Sequence, residues 1–86
     1  MTISSKDNEK LKLMRKLANR KHREREQMFV TEGEDLLSAG RAAGHEPSLL
    51  LTRVGEDLGG DEVERELLDA ASTLGSGTRV IAAWPL

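Results

Sequence analysis

The chain has 86 residues, room for one domain, so a large two-lobed enzyme is excluded; with 37% hydrophobic but only 2% aromatic residues, Phe29 and Trp84, its core must be built from aliphatic side chains and alanine. The absence of cysteine excludes disulfides and thiolate metal sites, and His22 and His45 alone are too few for a histidine-built zinc site. A formal net charge of -2 with 33% charged residues fits a folded, water-exposed surface, and no stretch approaches the roughly 20 apolar residues of a membrane span.

Leu11, Leu13, Met14, Leu17 and Ala18 recur at helical spacing, which predicts an amphipathic helix over residues 8–19 with Lys12, Arg15 and Lys16 on its outer side. Glu9 suits the positive end of its dipole. Residues 20–27 are almost without apolar side chains and read either as a charged helical extension or as a loop. The β-favouring run Met28, Phe29, Val30, Thr31 then predicts a strand that ends at Glu32 and Gly33. A short helix over 34–43 follows, with Leu36, Leu37 and Ala39 inside and Gly44 as its stop. Residues 48–53, centred on Leu49, Leu50 and Leu51, read as a strand covered on both faces.

A polar loop through Gly59 and Gly60 leads to Asp61, a candidate cap for a helix carrying Val63, Leu67, Ala70, Ala71 and Leu74. Gly75, Ser76 and Gly77 break that helix, and residues 78–84, with Val80 and Ile81, form a last strand before Pro85. A helix followed by β-α-β-α-β predicts an α/β fold: a small three-layer domain with a mostly parallel sheet and right-handed crossovers, preceded by a basic N-terminal helix.

Motifs for catalysis are missing. The Gly75-Ser76-Gly77-Thr78 run follows a helix and opens a strand, the reverse of a phosphate-binding loop, and no dinucleotide fingerprint occurs. The serines have no histidine and acid in a motif with them, and the carboxylates of residues 56–66 read as solvated charges. His22 reads as a solvated or RNA-facing side chain, and His45 as part of a helix C-terminal cap. No catalytic or metal-binding residue is expected.

Charge is unevenly distributed. Residues 1–27 hold nine lysines and arginines against four acids, a net of +5, while residues 28–86 hold four arginines against eleven acids, a net of -7. Such asymmetry points to a polyanion-binding segment on an acidic body, or to a basic helix that pairs with that body. The cations Lys10, Lys12, Arg15, Lys16, Arg20, Lys21, Arg23 and Arg25 would line an extended track, without aromatic residues for stacking.

The stretches Asn8 to Leu17, Arg20-Lys21-His22-Arg23-Glu24 and Phe29-Val30-Thr31-Glu32-Gly33-Glu34 resemble the opening of the SpoU (TrmH-type) RNA ribose methyltransferases, in spacing as well as in kind. The resemblance spans the chain and is strongest over residues 3–37. It implies an RNA substrate-binding domain, which in that family precedes a knotted catalytic domain that binds S-adenosylmethionine and dimerises. That second domain is expected to lie outside this chain, which by itself would hold no cofactor and would bind without methylating. Two positions depart from the family: Glu9 replaces a proline, and Gly77-Thr78-Arg79 replaces a Pro-Gln-Gly turn, where Arg79 is a candidate phosphate contact.

The resulting expectation is a basic helical segment, residues 1–27, on a small α/β RNA-binding domain, residues 28–86. The candidate RNA-binding residues are Asn8, Lys10, Lys12, Arg15, Lys16, Arg20, Lys21, Arg23, Arg25, Glu32 and Gly33. Glu32 and Gly33 also admit a purely structural role at a strand-to-helix turn. The expected partner is structured ribosomal or transfer RNA, with no membrane, a cytoplasmic location, and any homodimer made through the catalytic domain. The alternative is a protein-interaction module whose basic helix docks on an acidic partner or on its own body. Placement separates the two: pairing of Lys12, Arg15, Lys16, Arg20 and Arg23 with the acids of residues 56–69 would remove the motive for RNA binding.

Overall fold

The computed structural model describes residues 2–73 and 77–86. Its elements in chain order are α1 (Glu9–Lys16), α2 (Arg20–Glu26), β1 (Met28–Glu32), α3 (Glu34–Ala42), β2 (Leu49–Arg53), β3 (Asp61–Val63), α4 (Arg65–Ala71) and β4 (Val80–Pro85). Asn8 caps α1 by accepting from the Lys10 amide at 2.9 Å, with Glu9 in the first turn and Arg15 and Lys16 in the last, each charge matched to its end of the helix dipole. The predicted helix over residues 8–19 ends before Asn19, which caps a second one. The Asn19 backbone is extended, and its side chain accepts from the Lys21 amide at 2.8 Å, so residues 20–26 form a separate charged helix.

The four strands form one sheet in the order β1-β4-β2-β3. β4 runs antiparallel to both β1 and β2, and only β2 and β3 are parallel. The expectation of a mostly parallel sheet is therefore corrected to a mixed, largely antiparallel one. β1 and β2 run parallel to each other across the α3 crossover without pairing, and the last strand fills the gap between them in the opposite direction, which the order of elements alone does not fix. The three-layer expectation holds. Alternate residues of β4 face opposite sides: Ile81 and Ala83 pack with Leu51, Val63, α1 and α4, whereas Val80, Ala82 and Trp84 pack with Leu50 and with Leu37 of α3.

The region around Asp61 also differs from its reading as a helix cap. Residues 61–63 are a three-residue strand paired in register with Leu51, Thr52 and Arg53, and α4 starts later, after Glu64. A strand this short leaves no alternation for a sequence to display. Its outer edge is covered by the chain's own start: the Ile3 amide donates to the Glu62 carbonyl at 2.7 Å and the Glu64 amide to the Ile3 carbonyl at 3.1 Å. Leu74, Gly75 and Ser76, read above as the end of a helix and its breaker, lie outside the described residues.

The expected stop of α3 is present in detail. The Gly44 amide donates to the Arg41 carbonyl at 2.9 Å and the His45 amide to the Gly40 carbonyl at 3.0 Å, the paired bonds of a Schellman cap, with Gly44 at φ +89. Leu11, Leu17, Leu51, Leu68, Val63 and Ile81 are fully inaccessible to solvent, so α1 is part of the same core as the sheet. Among the described residues no helix is long and apolar enough to cross a membrane.

Candidate nucleic-acid interface

The turn at residues 17–19 sets α2 at an angle to α1, and Arg23 fixes that corner. Its Nη1 donates to the carbonyls of Leu17 and Ala18, both at 3.0 Å, which satisfies acceptors that the end of α1 leaves open. In the recess between the helices lies a shallow groove of about 550 Å³ lined by Lys12, Arg15, Lys16, Ala18, Asn19 and His22. No carboxylate lines this notch. Arg15 is steadied there by donating from Nη2 to the Lys6 carbonyl at 2.9 Å.

The basic residues named from the sequence fall into two groups. Lys10 pairs with Asp61 at 2.7 Å, Arg20 with Glu24 at 3.1 Å one turn on, and Arg15 and Arg23 are held by backbone carbonyls. Among the described residues, Lys12, Lys16, Lys21 and Arg25 have no acidic partner, and all four are exposed. Asn8 serves α1 as its cap. The sequence reading treated all these side chains as one track, because spacing on a helix does not tell which long side chain turns back onto a carbonyl.

None of Lys12, Arg15, Lys16, Arg20 and Arg23 forms an ion pair with residues 56–69. The acidic body is instead neutralised from within. Arg79 bonds Glu34 at 2.5 Å and also Glu56, which in turn meets Arg53 at 3.5 Å. The Arg79 hydrogen bond holds the Glu56 carboxyl below the usual carboxylate range, and the Arg79 guanidinium is correspondingly held more firmly protonated. Arg79 thus ties the approach to β4 to the start of α3 and to the loop after β2.

Glu32 and Gly33 do not line the notch; Glu32 lines a separate pocket with Ala18, Arg23, Phe29 and Thr73. The Glu32 carboxylate accepts from the hydroxyls of Ser72, Thr73 and Thr78 and from the Thr73 amide at 2.8 Å. Burial pushes its carboxyl up, but these hydrogen bonds outweigh burial and leave it below the usual range. Gly33 stands at φ +104 and donates its amide to the Val80 carbonyl at 3.0 Å. Both residues brace the join between β1, α3 and β4.

A second groove, of about 610 Å³, lies on the other side of α1. Lys12 and Lys16 line both grooves, so together they form a ridge between them. Its walls include Leu13, Met28 and Leu49, which are half-buried, and Ser48. Sequence reasoning missed this groove, since residues 9–16, 26–28 and 48–49 meet only when β1 and β2 are placed beside α1.

The sequence matches the family described as the MRM3-like substrate binding domain over residues 8–82. No curated protein gives a significant match. Among solved structures the chain is similar to an RNA 2'-O ribose methyltransferase, with 26% identity and a TM-score of 0.82 over 99% of this chain and 37% of that one. It is similar in fold to an rRNA methyltransferase from Sinorhizobium meliloti, with 21% identity and a TM-score of 0.83 over 100% of this chain and 37% of that one. The AdoMet-bound form of the Sinorhizobium meliloti rRNA methyltransferase gives 21% identity and a TM-score of 0.80, over 99% of this chain and 36% of that one. The chain therefore spans little more than a third of the length of each of these solved proteins.

Proposed function

Because this chain belongs to the MRM3-like substrate binding domain family, we propose that it is the substrate-recognition domain of a SpoU-type RNA 2'-O-ribose methyltransferase and binds structured ribosomal or transfer RNA through α1 and α2. The observation that carries the reading is the set of free cations Lys12, Lys16, Lys21 and Arg25 beside a notch without carboxylates, on a protein whose net charge is negative. The net positive charge gathered on two helices attracts phosphates, while the acidic remainder repels them and limits binding to that side. With no phenylalanine, tyrosine or tryptophan lining the notch and His22 as its one ring, recognition rests mainly on backbone and shape. The role is to hold an RNA segment so that one ribose hydroxyl meets the methyl donor.

S-adenosylmethionine carries a sulfonium cation, which Lys12, Arg15 and Lys16 repel, so the donor and the transfer step are assigned to the catalytic domain of such an enzyme. A cytoplasmic location, and dimerisation through that catalytic domain, belong to the same proposal. Docking on the chain's own acidic body is disfavoured, since Lys10 with Asp61 is the one pair joining the N-terminal cations to residues 56–69 among the described residues.

A salt titration of binding to a structured RNA and to duplex DNA of equal charge tests the proposal. The wild-type chain is expected to prefer RNA. Replacing Lys12, Lys16, Lys21 and Arg25 by alanine is expected to flatten the plot of log affinity against log salt by about 3, at 0.7–0.9 per lost phosphate contact. Absence of binding to either nucleic acid at low salt would overturn the proposal and redirect the search to an acidic protein partner.

A further inference from the structure

The two grooves that share the Lys12–Lys16 ridge differ in charge. The notch carries Arg15 and His22 with no acid, whereas the second groove carries Glu9, Glu26 and Lys10, the last paired with Asp61, over the apolar surface of Leu13, Met28 and Leu49. A phosphate is drawn more strongly to the first side, because in the second groove two carboxylates offset the lysines. A nucleobase has the opposite preference. It is neutral, covers apolar surface, and offers N–H donors at its edge to carboxylates.

Helix stability does not account for Glu26. It occupies the last turn of α2, where the partial negative charge of the helix end disfavours a carboxylate, and it has no ion-pair partner among the described residues. Glu9 is likewise without an ion-pair partner there, although the start of α1 suits it. The Ser48 side chain is exposed at the same groove, while its amide is used by the Ala83 carbonyl at 2.7 Å.

We infer that the second groove is a base-reading site for a guanine of the bound RNA, its phosphate seated across the Lys12–Lys16 ridge in the notch. Guanine is the base whose exposed edge presents two adjacent donor groups, N1–H and the N2 amino group, to one carboxylate in a two-pronged contact. Adenine presents an acceptor beside its single amino group and meets a carboxylate poorly. The ridge lysines then act twice, gripping the phosphate and shielding it from Glu9 and Glu26. This inference rests on the RNA-binding reading above and adds to it a preference that a basic track alone does not supply.

The test is fluorescence anisotropy at low salt with RNA hairpins that share one stem and a short uridine loop, the central loop nucleotide being guanosine, inosine or adenosine. The 86-residue chain is expected to bind the guanosine hairpin about tenfold more tightly than the adenosine one, with inosine between, as one good two-pronged base contact predicts. In Glu26→Gln, and in Glu9→Gln with Glu26→Gln, that ranking collapses while affinity for the adenosine hairpin holds or rises. Circular dichroism checks that both variants stay folded. Equal binding of the three hairpins, or a ranking that survives both variants, overturns the base site and leaves RNA binding standing. Failure of every hairpin to bind overturns the RNA reading, and this inference with it.

Discussion

At the scale of single residues, Gly40 shows how a side chain's absence can be structural. It lies in α3, where alanine favours helix, yet a Cβ at that position would overlap the six-membered ring of Trp84. Trp84 cannot yield, because it is buried and its indole N–H donates to Thr31 Oγ1 at 2.8 Å. Gly40→Ala is therefore expected to destabilise the fold by about 1–3 kcal/mol through overpacking, despite a propensity gain of up to about 1 kcal/mol, as read by urea denaturation. Glu32 gives a pH signature. Its carboxyl lies below the usual range when folded, so its contribution is fully present above the ordinary carboxylate value and is lost as pH falls through the lower, folded value; Glu56 acts in the same direction. Thermal stability should fall on acidification below that range. Glu32→Gln should flatten part of this fall and cost about 1 kcal/mol at neutral pH, after discounting the carboxylate's partial exposure. Glu32 was legible as a turn residue, but its partners lie 40 to 46 positions away in sequence and no local pattern names them.

At the scale of elements, the α1–α2 corner turns a list of cations into a shape. Arg23 looked from the sequence like one more phosphate contact, and the structure makes it a brace that closes two carbonyls at the end of α1. Arg23→Ala should lower stability by about 1–2 kcal/mol, the worth of a pair of partly exposed charge-assisted hydrogen bonds, and weaken RNA binding by opening the notch. Lysine should restore little of either, because one ammonium does not reproduce the flat fork of a guanidinium. Urea denaturation of the two variants beside RNA titrations checks this. The helices themselves were readable: Leu11, Met14 and Leu17 mark the buried face of α1, and Gly44 marks the end of α3. The sequence also placed the end of the first helix near Asn19, but it left open whether residues 20–27 are helix or loop, because asparagine favours a cap but is also tolerated inside a helix.

At the scale of the molecule, residues 1–27 and 28–86 share one core. Leu11, Met14 and Leu17 are at most 2% exposed and pack on Leu51, Val63, Leu68 and Ile81. Burial of three such side chains is worth about 5–9 kcal/mol, comparable with the whole stability of a small domain, at about 5–15 kcal/mol. A fragment of residues 28–86 is therefore expected to remain unfolded by circular dichroism and amide dispersion in NMR. The basic helix is not an appendage that can be removed to measure its role in binding; point variants on its outer face are the usable tools.

Charge asymmetry, the periodicity of the helices, the strand positions of Met28, Leu50 and Ile81 and the family resemblance were all determined by the sequence alone, because each is read from the kinds of residue and their spacing along the chain and needs no contact between distant segments. The placing of β4 between β1 and β2, the three-residue strand at Asp61 and the division of the cations into braces and free groups were decided only in three dimensions. Each depends on which distant segments meet. A long charged side chain chooses between a carbonyl, a carboxylate and water according to what the fold brings within its reach, and that choice leaves no periodic trace in the sequence.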